Sequence, residues 1–298
     1  MKVLAWFRNL LSGQRSRTAG RQLEAPDPNA FQPWPEGGVL VGGAVRDALL
    51  GRTVTDLDWL VAQPERSASV AAGLLEGAHF ALSEQRGHWR VVTKETLRDY
   101  IRPTAALEDD LRERDYTVNA LALRADGEVL DVTGGLDDLR AARLRMTGPE
   151  QLQADPVRLL RGVRLATELG FELEEATEEQ IRKLAAAQLD GTVPLPAWER
   201  SRAELDRILL ADEAFRGLKL LSRTRLLDVY LPELAACRGV HQGGFHHLDV
   251  LDHQFEAVRQ LLRHFPDSDL TLRWATLLHD IGKPGTRSED GGGSLRVR

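Results

Sequence analysis

Residues 39–62 read VLVGGAVRDALLGRTVTDLDWLVA. An apolar run ends on Gly42 and Gly43, a helix-like segment follows, and Asp56 and Asp58 then sit inside a second apolar run. Side chains of a strand alternate, so Asp56 and Asp58 share one face while Leu57 and Trp59 share the other. Like charges held close together resist ionising unless a cation compensates them. Magnesium, a hard cation that takes oxygen ligands and completes its shell with substrate phosphates, supplies that compensation. The glycines leave backbone amides bare between a strand and a helix start, where a phosphate can be held. Each half alone has a blander reading, since any tight turn uses glycine and a lone Asp-x-Asp is commonly a solvated strand end. The two together are more specific. They lack the lysine of a Walker loop and the G-x-G-x-x-G spacing of a dinucleotide fold.

Working outward, hydrophobic patterning predicts strands at 39–41, 56–61, 89–93, 97–101, 120–123 and 128–132, with helices at 44–50 and 67–75. This alternation describes an α/β or α+β unit ending near Thr147. Residues 12–38, rich in Ser, Pro, Gly and Gln, read as an irregular lead-in. From Asp155 onward the pattern turns helical. Asp155 is placed as an N-cap and Pro156 at the first helical position, followed by an apolar stripe of Leu159, Leu160, Val163 and Ala166 and a stop at Gly170. Further helices are expected at 177–187, 198–210 and 212–221, which makes the second half all-α.

The 298 residues carry a formal net charge of -6, which argues against a wholly basic nucleic-acid coat and requires any polyanion to be met by a local basic face. Cys237 is the only cysteine, excluding an intrachain disulfide and a cysteine-rich zinc site, and a reducing, cytoplasmic setting is expected. Residues 2–11 are apolar but broken by Arg8, and read as a frayed terminal helix rather than a signal peptide. No apolar run is long enough to span a bilayer, so no membrane partner is expected.

The run VGGAVRDALLG followed by TDLDWLV resembles the active-site signature of class II tRNA nucleotidyltransferases and bacterial poly(A) polymerases, a branch of the polymerase β-like nucleotidyltransferases. Further motifs follow in the family's order. LEDDLRERDYTVNALAL at 107–123 is similar to its second nucleotide-binding motif, and DVTGGLDDLRAARLR at 131–145 to the segment closing its catalytic head. DPVRLLRGVRLATELGFELE at 155–174 and WERSRAELDRIL at 198–209 resemble its neck. The likeness runs from Val39 to about Leu234. It implies an α+β fold, a polymerase β-like head built on a mixed sheet with helices and followed by an all-α neck and body. The divisions are then a lead-in at 1–37, the head at 38–148, the neck and body at 149–236, and a partial HD-like helical segment at 237–298.

The resemblance also implies roles. Asp56 and Asp58 bind two magnesium ions that activate an RNA 3′ hydroxyl, and Asp99 falls where the family carries a further carboxylate; its alternative is an exposed strand charge. Gly42, Gly43 and Arg46 hold the triphosphate, with Asp47 a structural partner within the helix. Arg114, Asp115 and Asn119 contact triphosphate and ribose, although Glu113 stands where the family usually has a second arginine. Asp155 and Arg158 read the Watson–Crick edge of the incoming base, admitting C or A. The glutamate that usually precedes that aspartate is replaced by Ala154, and Asp155 could equally serve as a cap and Arg158 as a surface charge. Arg161, Arg164 and Arg200, with Arg140, Arg143, Arg145 and Arg202, are candidates for tracking RNA phosphates.

Only ten residues separate Asp99 from Asp110, and so short a loop resembles enzymes that add two cytidines and stop. The expected activity is CC addition from CTP to the tRNA 3′ end. Complete CCA addition with ATP as second nucleotide, or A addition and poly(A) synthesis, stand as alternatives. GFHHLDVLDHQFEAVRQLL and LRWATLLHDIGKP resemble the start of an HD phosphohydrolase domain, in which His253, His279 and Asp280 suit a divalent transition metal. His246 and His247 read as cap or surface groups. The further aspartate that such a site needs does not appear before Arg298, so this segment is expected to serve as body for RNA contact, with hydrolase activity the remotest alternative.

Overall fold

The computed structural model describes residues 21–241, 248–289 and 295–297. The expected helix at 2–11 and the histidines at 246 and 247 lie outside the described residues. Strand β1 (Val39–Val41) leads through helix α1 (Gly43–Leu49) to β2 (Asp56–Leu60), α2 (Pro64–Leu74), β3 (Ala78–Ser83), β4 (His88–Val92) and β5 (Leu97–Ile101). Then come α3 (Leu107–Arg112), β6 (Leu121–Leu123), β7 (Val129–Asp131), α4 (Gly135–Arg140) and β8 (Arg143–Leu144). Helices α5 (Pro149–Ala154) and α6 (Val157–Leu169), the short β9 (Glu172–Leu173), α7 (Glu175–Leu189), α8 (Trp198–Leu210) and α9 (Ala214–Arg223) follow. The last helices are α10 (Leu226–Tyr230), α11 (Pro232–Ala235), α12 (Val250–His264) and α13 (Leu270–Leu278), before the paired strands β10 (Arg287–Glu289) and β11 (Leu295–Val297).

The chain divides into two compact units, one of residues 1–102 and 121–142, the other of residues 103–120 and 143–298. The first is built on a seven-stranded sheet of order β3-β4-β5-β2-β1-β6-β7. Its one parallel pair is β2 with β5, the rest being antiparallel, so the sheet is mixed as expected. Trp59, Val91 and Tyr100 alternate with the charged positions and are fully buried on one face, where α2 packs over β3, β4 and β5 through Ala68, Ala71 and Ala72. Helix α1 packs on β1, β2 and β6 through Ala44, Val45 and Leu49. Patterning missed β3, because AHFALS has no β-branched residue and its pairing with β4 carries an irregularity between Ala81 and Ser83.

The second unit is helical, with α6 at its centre against α8 and α9. Pro156, not Asp155, takes the N-cap position, so the helix begins one residue later than expected, at Val157; Asp155 before it is extended, and its Oδ1 accepts from the Val157 amide at 3.3 Å. Gly170 ends α6 in the left-handed region, φ 67°. The second half is not purely α, since β8 pairs with β9 and β10 with β11. Residues 103–120, counted with the head from sequence, pack instead with the helices. Tyr116 bridges Met146, its hydroxyl donates to the Arg158 carbonyl at 2.8 Å, and Asp115 is ion-paired with Arg161.

Candidate active site

Backbone register assembles the head's site. Val41 stands opposite Asp58 and Asp58 opposite Asp99, while Leu97 stands opposite Asp56, so all three carboxylates lie on one sheet face. Asp56 is exposed and Asp58 half-buried. Both offer only oxygen donors, a set that fits a hard divalent cation. Asp99 is differently placed. Arg90 on β4, its cross-strand partner, forks onto it with Nε to Oδ1 and Nη2 to Oδ2, both at 2.7 Å. His88 Nε2 lies 3.2 Å from Asp99 Oδ2, off the line of a hydrogen bond. The Arg90 guanidinium is held above its ordinary pKa chiefly by the hydrogen bonds it donates to Asp99, with Asp99, Asp56 and Asp58 adding charge against the opposing effect of burial. Asp99 is thus a clamp on an arginine rather than an exposed strand charge.

At the turn, Gly42 has φ 79° and ψ -139°, a conformation that excludes side chains. Its amide is not bare, as patterning alone suggested, for it donates to the Leu121 carbonyl at 3.0 Å, an acceptor brought in by β6. Arg46 folds back over the turn, so that a Cβ on Gly43 would stand 3.3 Å from its Nη2. Asp47 grips Arg46 with Oδ1 at 3.0 Å from Nε and Oδ2 at 2.7 Å from Nη2, the structural role expected of it. A separate cavity of 570 Å³ lies on the covered side, lined among others by Trp34, Arg66, Val70 and Tyr100, and includes none of the carboxylates.

In the helical unit, Asp115 is buried and fully engaged. Its Oδ1 accepts from the Tyr116 amide at 2.8 Å and from Asn119 Nδ2 at 3.0 Å, and its Oδ2 from Arg161 Nη1 at 3.0 Å. Burial pushes this carboxyl up, but the Arg161 charge and these hydrogen bonds outweigh it and hold the pKa below the usual range. Arg114 bonds Asp110 Oδ2 through Nε at 3.1 Å and Nη2 at 2.9 Å. Asp155 Oδ2 takes Arg200 Nη2 at 2.6 Å; burial opposes ionisation of Asp155, and that bond with the Val157 amide overcomes it. Arg158 Nη1 donates to the carbonyls of Gln151 at 2.8 Å and Glu113 at 3.2 Å, while its Nε is buried with no hydrogen-bond partner among the described residues.

Two of the arginines expected to track RNA are held in ion pairs. Arg164 is buried, with Nε 2.5 Å from Glu204 Oε2 and Nη1 2.7 Å from Glu168 Oε2. Arg161 joins Asp115 to Glu204, the latter at 3.3 Å, and these charges raise its pKa against burial. Arg200 remains half-exposed and Arg202 exposed, the latter 3.3 Å from Asp206. Glu204 went unread in the sequence. Its signal was a glutamate at helical spacing from Arg200 on α8, facing an arginine-bearing helix.

His253, His279 and Asp280 come together, one ligand atom of each lying within 4.8 Å of the others. Two imidazoles and a carboxylate suit a divalent transition metal. Lys283 Nζ donates to Asp280 Oδ2 at 2.6 Å and competes for it.

Residues 75–145 match the poly A polymerase head domain, and residues 170–238 match the probable RNA and SrmB-binding site of polymerase A. The A-adding tRNA nucleotidyltransferase of Deinococcus radiodurans is 50% identical over 258 residues, covering 87% of this chain and 59% of that one. The CC-adding tRNA nucleotidyltransferase of Thermus thermophilus is 46% identical over 256 residues, covering 86% of this chain and 59% of that one. The chain therefore spans about three fifths of the length of these relatives. A solved tRNA nucleotidyltransferase complexed with a primer tRNA and an incoming ATP analog superposes with a TM-score of 0.64 at 26% identity, over 81% of this chain and 70% of that one. Among the described residues, no helix is long and apolar enough to cross a membrane.

Proposed function

From a chain that belongs to the class II tRNA nucleotidyltransferase and poly(A) polymerase family, as this one does, we propose a template-independent enzyme that extends the 3′ end of tRNA. It transfers the cytidylyl group of CTP to the RNA 3′ hydroxyl oxygen and releases pyrophosphate. The observation carrying this reading is the register that sets Asp56 and Asp58 on one open sheet face beside the Gly42 turn. Magnesium held by Asp56 and Asp58 would supply Lewis-acid activation of the RNA hydroxyl and neutralise charge on the departing pyrophosphate. Arg46, anchored by Asp47 over the glycines, presents a fixed guanidinium to the triphosphate. Asp155 and Arg158 select the base, a carboxylate accepting from an exocyclic amine and a guanidinium donating to ring nitrogen or carbonyl. Arg200 and the carbonyls of Gln151 and Glu113 hold these two in the place of the missing neighbouring glutamate.

Cytidine addition is favoured by the connection between β5 and α3, residues 102–106 alone. Adenosine addition is the second reading, favoured by the 50% identity to the A-adding Deinococcus enzyme. Transcripts of tRNA ending at the discriminator base or at CC, offered labelled CTP or ATP with magnesium, separate them. Two cytidines on the first substrate and nothing on the second is the expected result. Label from ATP on the CC-ended substrate alone replaces it with A addition, and no label anywhere refutes both. The His253, His279 and Asp280 cluster is read in addition as a divalent metal site of the helical unit.

A further inference from the structure

We propose that the sheet row leading outward from the carboxylates, through Arg90 on β4 to Phe80 on β3, seats the 3′-terminal nucleotide of the RNA acceptor, Arg90 taking its phosphate and Phe80 stacking on its base. The inference rests on the reading of Asp56 and Asp58 given above and names where the acceptor lies. Register alone draws the row: Asp58 opposite Asp99, Asp99 opposite Arg90, Arg90 opposite Phe80. Directly opposed residues point to the same side of a sheet, so all four share the open face. With strands about 4.8 Å apart, Arg90 stands about 10 Å and Phe80 about 14 Å from Asp58. A hydroxyl reacting at Asp56 and Asp58 leaves its own phosphate and base to fall along such a span.

The chemistry changes along the row in the order a nucleotide requires. Arg90 commits Nε and Nη2 to Asp99, which fixes the plane of the guanidinium and leaves the two N–H groups of Nη1 as donors. A planar, anchored guanidinium is suited to phosphate oxygens. Phe80 then offers an aromatic side chain that is 45% exposed on the edge strand, and Leu97, 38% exposed beside Asp99 on β5, extends the apolar ground. Cations interleaved with exposed aromatic rings are how proteins grip single-stranded nucleic acid without reading its sequence. That matches an acceptor whose end changes with every addition.

The test uses the whole chain, an RNA oligonucleotide acceptor, and a second oligonucleotide whose terminal residue lacks its base. Phe80→Ala and Arg90→Met are each expected to raise the KM for RNA roughly tenfold while the KM for nucleotide stays within about twofold. Phe80→Trp should restore the wild-type value, because stacking needs an aromatic face and not phenylalanine itself. A rise confined to the nucleotide KM would overturn the assignment by giving the row to the incoming triphosphate, and unchanged constants in an active enzyme would overturn it by giving the row to solvent. Fluorescence anisotropy without nucleotide reads the same point when turnover is absent, as it would be if the activity proposed above were wrong. Wild type should then bind the intact terminus more tightly than the base-less one, and Phe80→Ala should erase the difference; equal wild-type affinities refute the seat.

Discussion

Asp56 and Asp58 approach each other as like charges on one strand, and Asp56 is exposed at its start. Asp56→Ala relieves repulsion, so thermal stability should hold or rise slightly while nucleotide incorporation falls about 10³-fold, the rate equivalent of several kcal/mol. Extension assays and melting curves on one preparation check both halves. A variant that still extends RNA at the wild-type rate removes the metal assignment. The pair was legible in the sequence because alternation needs only two positions to place both on one face. Asp99 was legible as a third carboxylate but not as a clamp, since its partner Arg90 lies on another strand and β4–β5 register is decided by tertiary pairing. The bare amide expected at Gly42 failed for the same reason, the acceptor arriving from Leu121 far along the chain.

Among the elements, α6 and the segment before β6 lock together through Gly162. A Cβ there would overlap the Tyr116 hydroxyl oxygen and stand 2.7 Å from its Cζ, so the glycine is a socket for a buried ring. Gly162→Ala should cost about 3 kcal/mol or more, seen as a lowered denaturant midpoint, and adding Tyr116→Phe should recover only part because the ring itself still clashes. The adjoining Asp115–Arg161 pair gives a pH signature. Asp115 has its folded pKa below the unfolded value of about 3.9, so its stabilisation is complete above that value and is lost as pH falls through the folded one. Wild type should therefore lose stability more steeply than Asp115→Asn as pH drops below about 4, measured by urea midpoints at a series of pH values. The ion pairs of Arg161 and Arg164 were not legible because their paired acid, Glu204, comes from a helix some forty residues on, and spacing along one helix cannot reveal a partner on another.

For the molecule as a whole, strong periodic segments located the longer strands of the sheet and the central helices, while short elements such as α3, α4 and β8 and the division into units escaped the sequence. The motif at 107–123 looked continuous, yet contacts part it at Ala120. The His253, His279 and Asp280 cluster was legible only through the resemblance of its two segments to an HD domain, and the hold of Lys283 on Asp280 was not legible at all. About one nickel or manganese ion per chain is expected after loading and desalting, fewer in His279→Ala, with Lys283→Met binding more tightly because the carboxylate no longer has a resident cation. Elemental analysis decides it, and a Lys283→Met chain that binds no metal counts against the site.

The threefold passage of the backbone between the units bears on how the molecule can be taken apart. A gene fragment halted after residue 142 would still encode Asp115 and Tyr116, yet deprive them of Arg161 and the Arg158 carbonyl. One halted after residue 102 would leave β1 without its neighbour β6 and the Gly42 amide without Leu121. No single scission frees an intact half, so evolution could graft or discard these units only by moving three joints at once.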